Sequence, residues 1–205
     1  MTQYLGLDLL DVMPDRSDVI SDSVEQLLEI LDPGAGPKFY DHREKAPRWN
    51  RTVRWHLFGL DDMAVLRTFL DARLGRTVPF WLPSLEVDLE VHSTIFSWAQ
   101  SFRIKHVGYA ETIYTLGGMR RHFYLRNPDG AAGAYRATSA LDLGDGSERI
   151  YVGGQFIAQS GTPAVSYLRY CRLGQDLQTI TWQSPGAAVF GTHEDAPSAP
   201  FADSR

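Results

Sequence analysis

The 205-residue sequence contains one cysteine, Cys171, so the chain cannot form a disulfide within itself. A chain without such bonds is typical of a reducing compartment. Cys171 lies in a strand-like run, and we interpret it as a buried thiol with no nucleophilic role. A small domain stabilised by its own disulfides is therefore excluded.

Long apolar runs and basic clusters are also missing. No stretch approaches the roughly 20 apolar residues of a membrane-spanning helix, and residues 1–8 lack the positive region of a signal peptide. The net charge is −5, and no lysine- or arginine-rich tract is present. We therefore expect no membrane association and no binding of nucleic acid through a basic patch. Because the protein and DNA are both negatively charged, DNA could pass close to the protein without binding to it.

Motifs for cofactors and metals are absent from the sequence. The glycine-rich stretches lack the Walker lysine and the three-glycine dinucleotide spacing. Asp142, Asp145 and Glu148 supply fewer oxygens than a calcium loop requires. None of the histidines has metal-ligand spacing: His42, His56, His92, His106, His122 and His193. We predict no metal site and no cofactor.

Signals for catalysis are equally weak. No serine lies in a Gly-x-Ser-x-Gly elbow. Glu86, Asp88 and Glu90 could line a groove as a glycosidase requires, but a solvated acidic strand face explains the same pattern. We therefore predict no catalytic residues and no enzyme activity, and a hydrolase is the least favoured of the functions we consider.

The composition that is present favours β-structure. Aromatic residues make up 12% of the chain, with five tryptophans, while hydrophobic and charged residues are at ordinary levels of 43% and 22%. Aromatic side chains are enriched in strands and at interfaces between proteins. A mainly β protein with extensive contact surfaces follows from this bias.

Alternation of apolar and polar residues predicts individual strands. Residues 49–58 alternate as a half-buried strand does, and residues 85–91 alternate apolar with acidic side chains. Residues 77–83 predict an edge strand, because their prolines cannot donate to a ladder. Residues 23–31 fit either a short helix or a strand, and periodicity leaves both open.

Turn residues divide the second half of the chain into short strands. Asn127-Pro128-Asp129-Gly130 predicts a type I turn, and Asp145-Gly146 predicts a hairpin. Two further strands are expected at residues 165–173 and 177–183, followed by a loose tail. Short strands at regular spacing are typical of a small sandwich or barrel.

One helix is predicted, at residues 61–74. Asp61 or Asp62 can cap its first turn, and Gly75 is expected to end it in a left-handed conformation. Arg73 is expected to lie away from the apolar face. That face is formed by residues at three- and four-residue spacing, which we predict to form the helix core: Met63, Leu66, Phe69, Leu70 and Leu74.

The end of this helix and the strand after it resemble a motif of phage tail-tip proteins. In residues 69–83, an Arg-Leu-Gly-Arg turn leads into Phe80-Trp81-Leu82-Pro83, as in the distal tail family, also called minor tail or baseplate-ring proteins. Residues 170–182 resemble the closing strand pair of that family, and residues 191–197 resemble its acid-to-proline tail.

The resemblance implies a fold and an assembly. The expected fold is mainly β: a tail-tube-like β-sandwich with one flanking helix, formed by residues 1–84 and 164–205, and a small inserted β-barrel at residues 85–163. The subunits would form a ring, usually of six, that joins the tail tube protein to the hub or tip proteins. DNA would pass through the lumen. The expected location is the virion tail tip, assembled in the bacterial cytoplasm, although related hub proteins form trimers.

Interface residues and an alternative function complete the predictions. A ring subunit must bury complementary surfaces against its neighbours. We predict that one such surface includes Arg48, Arg51, Arg54 and His56. A carbohydrate-binding β-sandwich module is the alternative from another functional class. Its candidate stacking residues are Trp98, Tyr109, Tyr114 and Tyr151.

Overall fold

The structure is a computed structural model that describes a large part of the chain. The described residues are 2–12, 21–25, 28–31, 39–42, 48–92, 94–156, 161–173, 180–184 and 187–193. The chain divides into two compact units: unit 1 comprises Met1–Asp11 and Trp81–Tyr170, and unit 2 comprises Val12–Phe80 and Cys171–Arg205. The boundaries predicted from the sequence fell at residues 84/85 and 163/164, whereas the units exchange at 11/12, 80/81 and 170/171.

Strands account for most of the regular structure, and the fold is mainly β as expected. In chain order they are β1 Gln3–Tyr4, β2 Leu7–Asp8, β3 Ser21–Glu25, β4 Leu28–Leu31, β5 Phe39–His42, β6 Arg48–Phe58, β7 Phe80–Pro83, β8 Ser101–Lys105, β9 His122–Arg126, β10 Ala132–Asp142, β11 Ser147–Val152, β12 Ala164–Cys171, β13 Ile180–Ser184 and β14 Ala187–His193. The helices are α1 Gly59–Asp71 and α2 Tyr114–Leu116, with a π-helical turn at Tyr109–Ile113 and a 3-10 turn at Gly118–Arg121.

Unit 1 is built on a six-stranded antiparallel sheet in the order β7-β12-β9-β10-β11-β8. The predicted edge strand is confirmed, since β7 lies at the end of this order. Both predicted turns are confirmed as well. Gly130 N–H donates to the carbonyl of Asn127 between β9 and β10, and Asp145-Gly146 lies in the loop that connects β10 to β11.

Residues 88–92 connect β12, which is next to one end of the unit 1 sheet, with β8 at the other end. On one side the Asp88 N–H donates to the carbonyl of Val165 in β12, at 3.0 Å. On the other side His92 N–H donates to Arg103 in β8, and Lys105 N–H donates to Glu90. These bonds satisfy backbone groups that an open sheet edge would leave unpaired.

The predicted strand at residues 85–91 is wrong, because this segment makes only isolated bridges through Leu89 and Val91. Leu85 adopts a positive φ of 66°, which breaks the extended backbone. Val87, predicted to face the core, is exposed. Asp88, predicted to face solvent, is half-buried and accepts a hydrogen bond from the Tyr167 N–H at 2.7 Å. The alternation therefore matches burial at Leu85, Glu86, Leu89 and Glu90 but not at Val87 and Asp88.

Unit 1 has an aromatic core. Phe123 lies at its centre, edge-to-face with Phe102 at a centroid distance of 5.9 Å and tilted against Tyr109 at 5.7 Å. Packing of this kind adds roughly 0.5–1.5 kcal/mol per pair beyond the burial of apolar area. The buried residues of the core are Leu89, Ile95, Phe102, Ile104, Tyr109, Phe123, Leu125, Ala137, Ile150, Val152, Phe156 and Val165.

Unit 2 contains a four-stranded sheet in the order β13-β14-β6-β3, and β4 pairs with β5. The predicted strand at 49–58 is confirmed as β6. The segment 23–31, which fitted a helix or a strand, contains β3 and β4 among its described residues. Trp55 of β6 is fully buried, and its indole N–H donates to the carbonyl of Val12. Strand β14 was not predicted from the sequence, since residues 191–197 were interpreted as part of the tail.

Helix α1 buries the predicted stripe as far as Phe69 and then departs from it. Met63, Leu66 and Phe69 are buried and Leu70 is half-buried, but Leu74 is 71% exposed, so its assignment to the helix core is wrong. The helix ends at Asp71, and both Leu74 and Gly75 adopt positive φ. This left-handed turn moves residues 72–75 off the helical periodicity.

The same turn buries Arg73, which was expected to lie away from the apolar face. Its Nε donates to the carbonyl of Phe69, and its Nη1 donates to the carbonyl of Pro79 at 3.0 Å. The guanidinium carbon also lies 4.6 Å from the centre of the Phe69 ring. Arg73 therefore connects the end of α1 to the residues that precede β7.

Candidate functional site

The four predicted interface residues lie along β6. In the register with β3, Arg48 is opposite Glu25 and Arg51 is opposite Asp22. In the register with β14, Arg54 is opposite Gly191 and His56 is opposite Val189. Opposite charges at directly facing positions stabilise an antiparallel pair. In this register Arg54 and His56 are opposite uncharged positions, and we choose them for testing contact with another subunit.

Of the predicted stacking residues, Trp98 is the one presented to solvent. It is 71% exposed and stacks on Phe96, itself 54% exposed, at a centroid distance of 5.2 Å and an interplanar angle of 14°. Ala99 N–H donates to the Phe96 carbonyl, so a turn holds both rings outward. Phe96 was not predicted from the sequence, although two aromatic residues two positions apart in this loop are a visible signal.

The three tyrosines do not join this exposed pair. Tyr109 is fully buried and its hydroxyl donates to the carbonyl of Arg120, so its role as a stacking residue is wrong. Tyr114 is half-buried under the Arg121 guanidinium, which lies 4.4 Å from the ring centre. Tyr151 is half-buried on β11, opposite Ser139 and Ser101. The ring contact that the structure gives Trp98 is with Phe96.

A buried carboxylate, that of Glu148, binds the backbone that follows β8 in unit 1. Glu148 is fully buried on β11 and accepts three backbone hydrogen bonds. Oε2 accepts from Val107 N–H at 2.9 Å and Tyr109 N–H at 3.0 Å, and Oε1 accepts from Ala110 N–H at 2.8 Å. These are the unpaired donors at the start of the π-helical turn.

The backbone before this turn aims its N–H groups at Glu148. Gly108 adopts a φ of 71° with no side chain to oppose that conformation. Three charge-assisted bonds compensate for burying a carboxylate, which would otherwise be very unfavourable. Since both oxygens of the buried Glu148 carboxylate accept from backbone N–H groups of residues 107–110, we assign the residue a structural role.

The two other acidic residues near Glu148 also bind within the loop. Asp142 accepts from Gly144 N–H, and Asp145 accepts from the hydroxyl and N–H of Ser147 and from Arg103. The Ser147 hydroxyl and, after it, the Arg103 guanidinium hold the pKa of Asp145 below its usual range. In the part of the chain that the structure describes, no three histidine, cysteine or acidic side chains lie together as a metal site.

Asp88 helps to fix residues 88–92, the segment that bonds to both β12 and β8. It accepts hydrogen bonds from the Tyr167 N–H and from the Ser84 hydroxyl. Burial, with the charge of Asp88 beside it, raises the pKa of Tyr167 to about 12. Glu90 forms an exposed ion pair with Lys105, and Glu86 is exposed. The three acidic residues therefore do not line one common groove.

A polar cluster lies under the N-terminal hairpin of unit 1. The Tyr4 hydroxyl and the His122 Nδ1 are 2.9 Å apart, and the Trp81 ring lies 4.9 Å from the imidazole. Burial, reinforced by the positive charges of Arg136 and Arg121, lowers the pKa of His122 to about 4. Burial also raises the pKa of Tyr4 above its usual value. The sequence offered no signal for this cluster, because its members are far apart in the chain.

Comparison with protein-family models and with curated proteins gives no match for this chain. Among the described residues, no helix is both long and apolar enough to cross a membrane.

Proposed function

We propose that the protein is a structural subunit of a phage tail tip, of the distal tail type. Copies of the chain form a ring of six that joins the tail tube to the tip or hub proteins and leaves a channel for DNA. The motif at residues 69–83 motivates the proposal. Its main support is the way in which the chain divides into two units. Unit 2 is assembled from segments on both sides of the long segment that forms most of unit 1.

Each unit has the elements that its proposed fold requires. Unit 2 combines a four-stranded and a two-stranded sheet with the 13-residue helix α1, as a tail-tube-like sandwich with a flanking helix would. In unit 1, residues 88–92 bond to both β12 and β8, which supports a small barrel. Closing a sheet on itself removes exposed edges.

Oligomer formation is the experiment that tests this proposal. We expect native mass spectrometry of the full chain to give a mass several times that of one 23.0 kDa chain. Arg54→Glu should reduce the assembled fraction at least tenfold, because it reverses a charge at a predicted subunit contact. Arg67→Glu, an exposed position on α1, is the matched control and should leave assembly unchanged.

The distribution of masses decides between the variants of the proposal. Six copies support the ring, three copies support the trimeric hub, and a chain that stays monomeric at every concentration contradicts both. Equal loss of assembly in Arg54→Glu and Arg67→Glu would contradict the assignment of β6 to the interface between subunits.

The exposed Phe96–Trp98 pair favours one alternative function, carbohydrate binding. Flat, solvent-exposed aromatic rings provide the apolar surface on which a sugar ring stacks, and such a module would act as a monomer. This reading predicts binding on a glycan array that falls at least tenfold in Trp98→Ala and is unaffected in Leu116→Ala, a change at another exposed apolar position of unit 1. Absence of any glycan signal for the unmodified chain would eliminate it.

A further inference from the structure

We propose that His122 is a proton-operated latch, which holds the N-terminal hairpin of unit 1 on the sheet at neutral pH and releases it in acid. The hairpin is defined here as residues 2–11. The inference concerns unit 1 alone and does not depend on the proposed function.

Hydrogen bonds and apolar packing hold the hairpin on the sheet. Its strands β1 and β2 pair over two residues each. Leu10 N–H donates to the carbonyl of Trp81 at 2.9 Å, and Arg126 donates to the carbonyl of Asp11 at 3.0 Å. Leu9 is buried against Trp81, Tyr124, Leu168 and Tyr170. A two-stranded hairpin is marginally stable by itself, so its position depends on these contacts.

His122 lies where the hairpin meets the sheet. The ring of Tyr4 approaches the imidazole edge-on at 5.7 Å, in addition to the hydrogen bond between the two side chains. Trp81 packs against both rings, at centroid distances of 5.4 Å from Tyr4 and 4.9 Å from His122. Tyr4 and His122 therefore cover each other while the hairpin is docked.

The groups that face His122 disfavour a proton on it. Arg136 is its direct partner across the strand pair on β10, and Arg121 precedes it in the chain. From the hairpin, the Tyr4 hydroxyl faces His122, and burial keeps that hydroxyl protonated. Tyr170 of β12 packs edge-on against Trp81. A protonated imidazole would be a buried positive charge near two arginines, of which Arg121 is half-buried and Arg136 is exposed.

The direction of the pH effect follows from the depressed pKa. A histidine with a pKa of about 4 when docked, against an ordinary value of 6.5, binds its proton more readily when the hairpin is released. Docking is therefore strongest above pH 6.5 and weakens as the pH falls towards 4. If the released histidine has its ordinary pKa, the docking equilibrium falls by up to about a hundredfold over that range.

A nuclear magnetic resonance titration of the full chain tests the latch. We expect the amide signals of Gly6 and Leu10 to move towards their unstructured positions as the pH falls from 6.5 to 4, with the midpoint at which the His122 imidazole titrates. In His122→Gln, which carries no charge at any pH, this movement should vanish. His106→Gln, at a more exposed histidine of the same unit, should retain it.

Two results would overturn the proposal. The first is a hairpin whose signals stay fixed while His122 becomes protonated. The second is the same movement in His122→Gln, which would assign the effect to the hairpin's own carboxylates, Asp8 and Asp11. Because the midpoint comparison uses the unmodified chain, the proposal stays testable even if the variant does not fold.

Discussion

Replacing Glu148 by alanine is expected to lower the free energy of unfolding of unit 1 by about 3–5 kcal/mol. The change leaves the N–H groups of Val107, Tyr109 and Ala110 without their acceptor, and Tyr109 is fully buried. It also leaves a gap below the π-helical turn. Urea unfolding followed by fluorescence measures the loss, and hydrogen exchange of residues 101–113 localises it to unit 1.

Two further variants show whether the carboxylate itself is responsible. Glu148→Gln keeps the shape but turns an amide N–H₂ towards one backbone donor, so it should be destabilising by about half as much. Glu90→Ala removes a carboxylate from an exposed ion pair in the same unit and should cost less than about 1 kcal/mol. If Glu148→Ala unfolds like Glu90→Ala, the buried hydrogen bonds are not holding this turn.

Leu66→Asp is expected to have an effect of similar size on unit 2. Leu66 is 1% exposed on the buried face of α1, between Met63 and Phe69. The substitution removes buried apolar area and places a charge there without a partner, which we expect to destabilise unit 2 by more than about 4 kcal/mol. Circular dichroism against urea should then show loss of α1 in conditions where the unmodified chain is folded.

Val65→Asp is the matched control for this prediction. Val65 is the preceding residue on the same helix, is 47% exposed and receives the same new side chain. We expect it to cost less than about 1 kcal/mol, because valine and aspartate have similar helix propensities and the side chain reaches water. Equal losses in Leu66→Asp and Val65→Asp would show that the burial pattern assigned to α1 is wrong.

Local signals in the sequence predicted much of the fold. The periodicity of residues 61–70 predicted α1, and the turn at residues 127–130 and the Asp145-Gly146 pair predicted two hairpins of unit 1. These features depend on interactions between residues close in the chain. Leu74 and Arg73 were assigned to the wrong sides because one left-handed turn, at Leu74 and Gly75, reverses which side chain faces the core.

The buried polar groups could not be predicted in the same way. Glu148 accepts hydrogen bonds from residues 38 to 41 positions earlier in the chain, and Tyr4 meets His122 at a separation of 118. Composition and residue spacing cannot predict hydrogen bonds between residues that are so far apart in the chain. The alternation at residues 85–91 predicted a strand with its acidic side chains in solvent. Leu85 instead has a positive φ, and Asp88 binds the backbone of β12.

The most direct test of the proposed ring is to image the purified full chain by negative-stain electron microscopy. The proposal predicts closed rings with an open centre, and averaged top views with sixfold symmetry. Particles the size of one chain, with no central opening at any concentration examined, would contradict it.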